Sequence, residues 1–222
     1  MMPFAGGIEA PPNAALLFSI AAAFIYLLIV DAEPSFARSA VKALAVALLA
    51  WLAVLLHGPW LLAAALALSA VGDAFLSRDG EKAFLGGLAS FLVAHLLYVA
   101  LFLRLGEGVR LLAEPWRTVF LAVAAALALG MLAALWRRVG PALRLPIAVY
   151  VLAILAMFAF ALTTRLPLAI GGAALFMASD TLLAAERFLV AAISPNRVWM
   201  RRAVWLLYYA AQFAITLGFL LR

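Results

Sequence analysis

Two aspartates, Asp73 and Asp180, lie inside long apolar stretches of this chain. A carboxylate in hydrocarbon costs about 2.5–3.5 kcal/mol on insertion scales, so its presence there is a functional signal. The other ionisable groups within such stretches are Lys42 and His95. Ser69 precedes Asp73 by one helical turn, and Ser179 directly precedes Asp180. His95 and Tyr98 share a helix face at three-residue spacing. Tyr150 sits one turn into its own apolar run, and Tyr208, Tyr209 and Gln212 make a further polar face.

Paired carboxylates suit acid–base work. Two that lie close together in an apolar site cannot both ionise cheaply, so one keeps its proton while the other stays charged. Other schemes fit less well. A zinc hydrolase needs three protein ligands, and the chain has no HExxH, no CxxC and no cysteine. A serine nucleophile, Ser69 or Ser179 with His95, lacks a GxSxG elbow. The expectation is therefore catalysis by Asp73 and Asp180 without metal or cofactor. Substrate contacts are expected from Lys42, Ser69, His95, Tyr98, Tyr150, Ser179, Tyr209 and Gln212. The plainer reading makes the aspartates and Gln212 helix glue, Lys42 a snorkelling side chain and the tyrosines packing.

The elements that must hold these groups are transmembrane helices. Of the 222 residues, 69% are hydrophobic and 12% charged, where a soluble domain is nearer ~25% charged. Eight apolar runs are long enough to cross a bilayer as helices: Ala14–Val30, Ala40–Leu56, Trp60–Ser77, Phe84–Leu103, Thr118–Trp136, Pro146–Thr163, Pro167–Ala185 and Val204–Leu221. None alternates as a membrane β-strand would. The fold expected is all-α, a polytopic bundle in a single integral membrane domain. The fifth run has no charged or amide side chain in its interior and reads as scaffold.

The net charge of +6 sits in short loops, which excludes a nucleic-acid surface and instead sets topology. Eleven of the sixteen basic residues lie at the odd-numbered loops. That side is expected in the cytoplasm, with both termini external and the protein in a bacterial plasma membrane. The first run is a poor signal peptide, because the first basic residue, Arg38, follows it. Both aspartates then fall in the cytoplasmic half of the bilayer. The stretch 67–76 around Asp73 lines up weakly with 174–183 around Asp180. If this is not chance, two four-helix units repeat in the same orientation.

At these residues the chain resembles a known family. Ser69, Gly72, Asp73 and Leu76 are similar to its S-x-x-G-D-x-x-L signature. Phe91, His95 and Tyr98 resemble its F-x-x-x-H-x-x-Y helix, and Gly172, Ala173, Phe176, Ser179, Asp180 and Leu183 its G-A-x-x-F-x-x-S-D-x-x-L motif. Tyr208, Tyr209 and Gln212 resemble its closing Y-Y-x-x-Q. These are the YhhN-like membrane proteins, whose animal members are lysoplasmalogenases. One position departs: Ala43 follows Lys42 where the family often has proline.

The resemblance implies an intramembrane hydrolase. Its substrate would be a lysophospholipid whose vinyl ether is cleaved to a fatty aldehyde and glycerophosphoethanolamine or glycerophosphocholine. Arg187, Arg201 or Arg202 would hold the phosphate. A small transporter or lipid permease would carry a similar polar cavity and repeat. The two differ in whether product forms in detergent, without a second compartment.

Overall fold

The structure, a computed structural model, describes residues 2–221. Among them the chain forms eight α-helices. They are α1 (Pro11–Ile29), α2 (Phe36–Leu55), α3 (Trp60–Leu76), α4 (Glu81–Leu105), α5 (Pro115–Trp136), α6 (Pro141–Ala161), α7 (Pro167–Phe188) and α8 (Asn196–Leu220). A short 3-10 turn, Val109–Ala113, precedes α5. Seven helices are long and apolar enough to cross a membrane, and α3, with 17 residues, is the short one. At 1.5 Å per residue α3 is about 25 Å long, just under the ~30 Å hydrocarbon layer. The chain is a polytopic helical bundle with no strand among the described residues.

Local chemistry explains the starts. Proline opens α1, α5, α6 and α7, at positions where its missing N–H would find no partner in any case. Two boundaries differ from the sequence expectation. α6 begins at Pro141, and Pro146 lies inside it, costing one ladder bond near the helix start. α8 begins at Asn196, eight residues before Val204, because its first turns are helical but polar. There Arg197 pairs with Glu186, and Arg201 and Arg202 both pair with Asp31. Hydropathy registers only the apolar continuation.

Consecutive helices α1 to α4 pack side by side, α4 packs on α6, and α6 on α7. α7 lies along α8, which returns to α2 and α1 and closes the ring. α5 stands outside, against α6 and α7, and is the least buried of the long apolar helices. On the face with the α4–α5 and α6–α7 connections, Arg117 is buried and donates to the carbonyls of Leu162 and Thr164. It thereby satisfies carbonyls left open at the end of α6.

The α7–α8 contact depends on Gly172. A Cβ there would lie 2.8 Å from the Ala211 carbonyl oxygen and 3.0 Å from the Ile215 nitrogen, both backbone atoms that cannot turn aside. Gly171, its neighbour, faces open space. Gly172→Ala is expected to cost about 1–3 kcal/mol by overpacking. Gly171→Ala should change little. Melting temperatures of the two variants in detergent check this, and equal values would contradict it.

Candidate active site

α3 and α7 each bring one aspartate to a shared cavity of about 150 Å³. The cavity lies at the ends of the helices joined by the α1–α2, α3–α4 and α7–α8 connections, and Lys42, Asp73, Ser179, Asp180 and Tyr208 line it. Asp73 is 1% exposed and Asp180 13%.

The surroundings of the two acids differ in charge. Lys42 Nζ on α2 is 3.3 Å from Asp73 Oδ1, and the Tyr208 hydroxyl on α8 donates to Asp73 Oδ2 at 2.6 Å. Lys42 also lies over the rings of Tyr26, at 5.7 Å, and Trp205, at 5.9 Å. The ammonium is thus held between a carboxylate and two aromatic faces. Among the described residues Asp180 has no cation of this kind. The Tyr150 hydroxyl on α6 donates to Asp180 Oδ2 at 2.5 Å, and His95 Nε2 on α4 stands 3.8 Å from the same oxygen. His95 Nδ1 is 2.6 Å from the Phe91 carbonyl oxygen, which can only accept, so Nδ1 carries hydrogen. In the neutral ring Nε2 is therefore an acceptor, and it has no hydrogen-bond partner.

A regularity links the two acids. Asp73 on α3 takes its partners from α2 and α8, and Asp180 on α7 takes its partners from α6 and α4. Advancing every helix by four positions, with α8 passing to α4, converts one set into the other. That is the pattern a four-helix unit repeated in one orientation produces. Beneath the acids, Phe176 packs edge-on against Phe91, His95 and Tyr208 and separates the two half-sites. Gly72 makes room for this floor, since a Cβ there would lie 2.6 Å from the Phe91 ring.

Several residues expected at the site lie elsewhere. Tyr98 and Gln212 are fully buried and do not line the cavity, whereas His95, also fully buried and off the cavity wall, stays beside Asp180. The Tyr98 hydroxyl donates to Gln212 Oε1 at 2.5 Å across α4 and α8, while Gln212 Nε2 is buried without a hydrogen-bond partner among the described residues. Ser69 turns back to the Ala65 carbonyl of its own helix. Tyr209 points away from both acids and shares a hydrogen bond with Ser19 on α1. Ser179 does line the cavity, with its hydroxyl donating to the Val204 carbonyl.

Other lining residues carried no obvious signal. Tyr26 and Trp205, aromatics within apolar runs that nothing in the sequence singles out, flank Lys42. Tyr208 and Tyr209 are adjacent, but Trp205, Tyr208 and Gln212 follow the three- and four-residue spacing of one face, which selects Tyr208. Arg38, one turn before Lys42, lines the mouth and donates to the carbonyls of Val30 and Ser77 at the ends of α1 and α3. Arg187 and Arg201 also line it, whereas Arg202 does not. Among the described residues Arg187 has no ion pair and instead lies 4.0 Å over the Phe84 ring. No group of three His, Cys, Asp or Glu placed to hold a metal ion occurs among the described residues.

Two curated relatives, from Mycobacterium bovis and Mycobacterium tuberculosis, are each named lysoplasmalogenase. Each is 36% identical to this chain over 166 residues, which is 72% of this chain and 60% of the relative. The chain thus matches about three fifths of their length. No solved structure matches it. The YhhN family matches residues 37–219, a stretch that contains both aspartates and all their partners, and the chain belongs to that family.

Proposed function

We propose that this protein hydrolyses the vinyl ether bond of a single-chain ether phospholipid, a lysoplasmalogen, with Asp180 as general acid and Asp73 as the ionised partner. One observation carries the assignment: the two carboxyls share a cavity, but among the described residues only Asp73 has a lysine or arginine paired with it. A buried charge needs a compensating charge, and Lys42 supplies one to Asp73. Asp180 is surrounded by a hydroxyl and an acceptor nitrogen, a setting for a neutral carboxylic acid. Tyr150 occupies Oδ2, which leaves Oδ1 to carry the proton.

The chemistry balances with these groups alone. Asp180 gives its proton to the alkenyl carbon that does not bear oxygen, and the adjacent carbon becomes an oxocarbenium-like cation. The resulting Asp180 carboxylate and Asp73 stabilise that cation, as carboxylates do in glycoside hydrolysis. Water adds to the cationic carbon and gives up a proton to Asp180, restoring the acid. The hemiacetal then loses its hydroxyl proton and breaks its bond to the glycerol oxygen, which takes up a proton in turn, releasing a fatty aldehyde and a glycerophospho-alcohol. General acid–base steps of this kind contribute typically ~10²–10⁴-fold. The excess of basic residues at the odd-numbered loops supports a cavity mouth facing the cytoplasm, where the polar product would leave. Arg187, without an acid partner, and Arg201 lie where a phosphate would be held.

The test is mass spectrometry of purified protein with matched 1-alkenyl, 1-alkyl and 1-acyl lysolipids. Aldehyde from the alkenyl lipid alone is the expected result. Free fatty acid from the acyl lipid would point to an esterase instead. The two neighbouring tyrosines give a sharper comparison. Tyr208→Phe removes a hydrogen bond to a charged group, worth about 1.5–3 kcal/mol, and should slow turnover at least about tenfold. Tyr209→Phe should leave turnover near wild type. The reverse order would show that Tyr208 does not serve Asp73.

A further inference from the structure

Asp180 stands at a junction. On one side is the polar cavity. On the other is a second cavity, of about 80 Å³, between α4, α5, α6 and α7. The two share Leu76, Phe84, Phe91, Asp180, Leu183 and Arg187 in their walls. Beyond Arg187, Asp180, Tyr150 and Thr181 the lining of the second cavity is apolar, with Ala128, Met131 and Ile154 among it. It has Met177 and Thr181 in common with a third space, an open groove of about 490 Å³ between α5 and α7. Phe120, Val123, Leu127 and Leu182 line that groove. Polar cavity, aspartate, apolar cavity and open groove therefore form a series.

We propose that the groove between α5 and α7, with the apolar cavity behind it, holds the hydrocarbon chain of the substrate, which slides in sideways from the lipid past Met177 and Thr181. The occupant follows from the two ends of the series. The inner end has Arg187 without an acid partner, suited to a phosphate, and the outer end is apolar and turned toward hydrocarbon. A single-chain amphiphile has that polarity. Volume fixes how it lies. One water needs ~10–15 Å³ measured in this way, so the inner apolar cavity takes only a few chain carbons. The rest of the chain must run out into the groove. The first chain carbons, which carry the vinyl ether, then lie against Asp180. The loose seating of α5, the least buried long apolar helix, suits a wall that parts for a lipid. The inference rests on the lipid-hydrolase reading for its ligand but makes a separate claim about where the chain lies.

The experiment uses full-length wild-type protein in detergent and a 1-O-alkyl lysophosphatidylethanolamine with a diazirine at the end of its chain. The alkyl ether cannot be cleaved, so labelling does not depend on turnover. Irradiation and peptide mapping should place the label on α5 and α7, at or beside Phe120, Val123, Leu127 and Leu182, and excess unlabelled lysolipid should abolish it. Label on α1 or on α8 near Trp205 would overturn the path. In parallel, Ala178→Trp fills the groove from its exposed wall. It should lower kcat/KM for a long-chain alkenyl lysolipid about tenfold, the scale of a lost apolar pocket contact. A butenyl analogue, too short to reach the groove, should be turned over as by wild type. Equal loss for both substrates, or for neither, would contradict the path. If wild-type protein releases no aldehyde but the label falls in the groove, the path stands and the hydrolysis reading fails. If aldehyde is released and the label falls elsewhere, the path alone fails.

Discussion

Asp180→Asn is expected to abolish measurable aldehyde release, with a loss of at least ~100-fold in a protein that still elutes as a folded species in detergent. The amide keeps the shape of the side chain and can still accept from Tyr150, but it has no proton to give to carbon. Asp73→Asn should fall by a similar factor for a different reason. It leaves the Lys42 ammonium without its carboxylate and removes the negative charge that faces the developing cation. Because the two acids would act as a unit, the double variant should be little slower than the slower single one. Multiplied losses would show that they act independently. Chelator should leave the wild-type rate unchanged, since the groups proposed to react are carboxyls.

Lys42→Met should produce the largest loss of stability among the site variants. Asp73 is 1% exposed, and the one cation paired with it among the described residues would be gone. Breaking a buried pair by removing one partner costs about 3–5 kcal/mol, whereas replacing both partners with neutral groups is often tolerated. The combined Lys42→Met, Asp73→Asn protein is therefore expected to recover much of the melting temperature that the single change loses, without recovering activity. If Lys42 merely snorkelled to the interface, Lys42→Met would leave melting unchanged and the double variant would show no recovery.

The sequence made some of this legible, for identifiable reasons. Eight helices follow from eight apolar runs, because a backbone in hydrocarbon must satisfy its own hydrogen bonds and helices do so within each run. α5 reads as scaffold from its lack of interior polar groups, and it stands at the periphery. Pro146 misleads because proline usually marks a helix start, whereas here it lies inside α6 at the expense of one ladder bond. The polar turns of α8 are invisible to hydropathy, since Arg197, Arg201 and Arg202 are neutralised by acids on other elements. At the site, rarity in an apolar run singles out Asp73, Asp180, Lys42 and His95. It does not tell a side chain facing a cavity from one satisfied by its neighbour. Tyr98 and Gln212 are the clearest instance, because they meet from different helices far apart in the chain. Tyr26 and Trp205 show the converse: their role beside Lys42 depends on ring faces that composition does not reveal.

Hydrolysis by protonation at carbon leaves a mark on its product, and reading that mark tests the central claim most directly. Purified wild-type protein is incubated with a 1-alkenyl lysophospholipid in heavy water, and the fatty aldehyde is trapped at once and weighed. An exchangeable acid in the cavity, equilibrated with solvent, delivers deuterium to the alkenyl carbon next to the carbonyl of the product. The account predicts aldehyde carrying a single deuterium at that carbon, formed by wild type and not by Asp180→Asn. Aldehyde without deuterium, or equal deuterated product from Asp180→Asn, would contradict it.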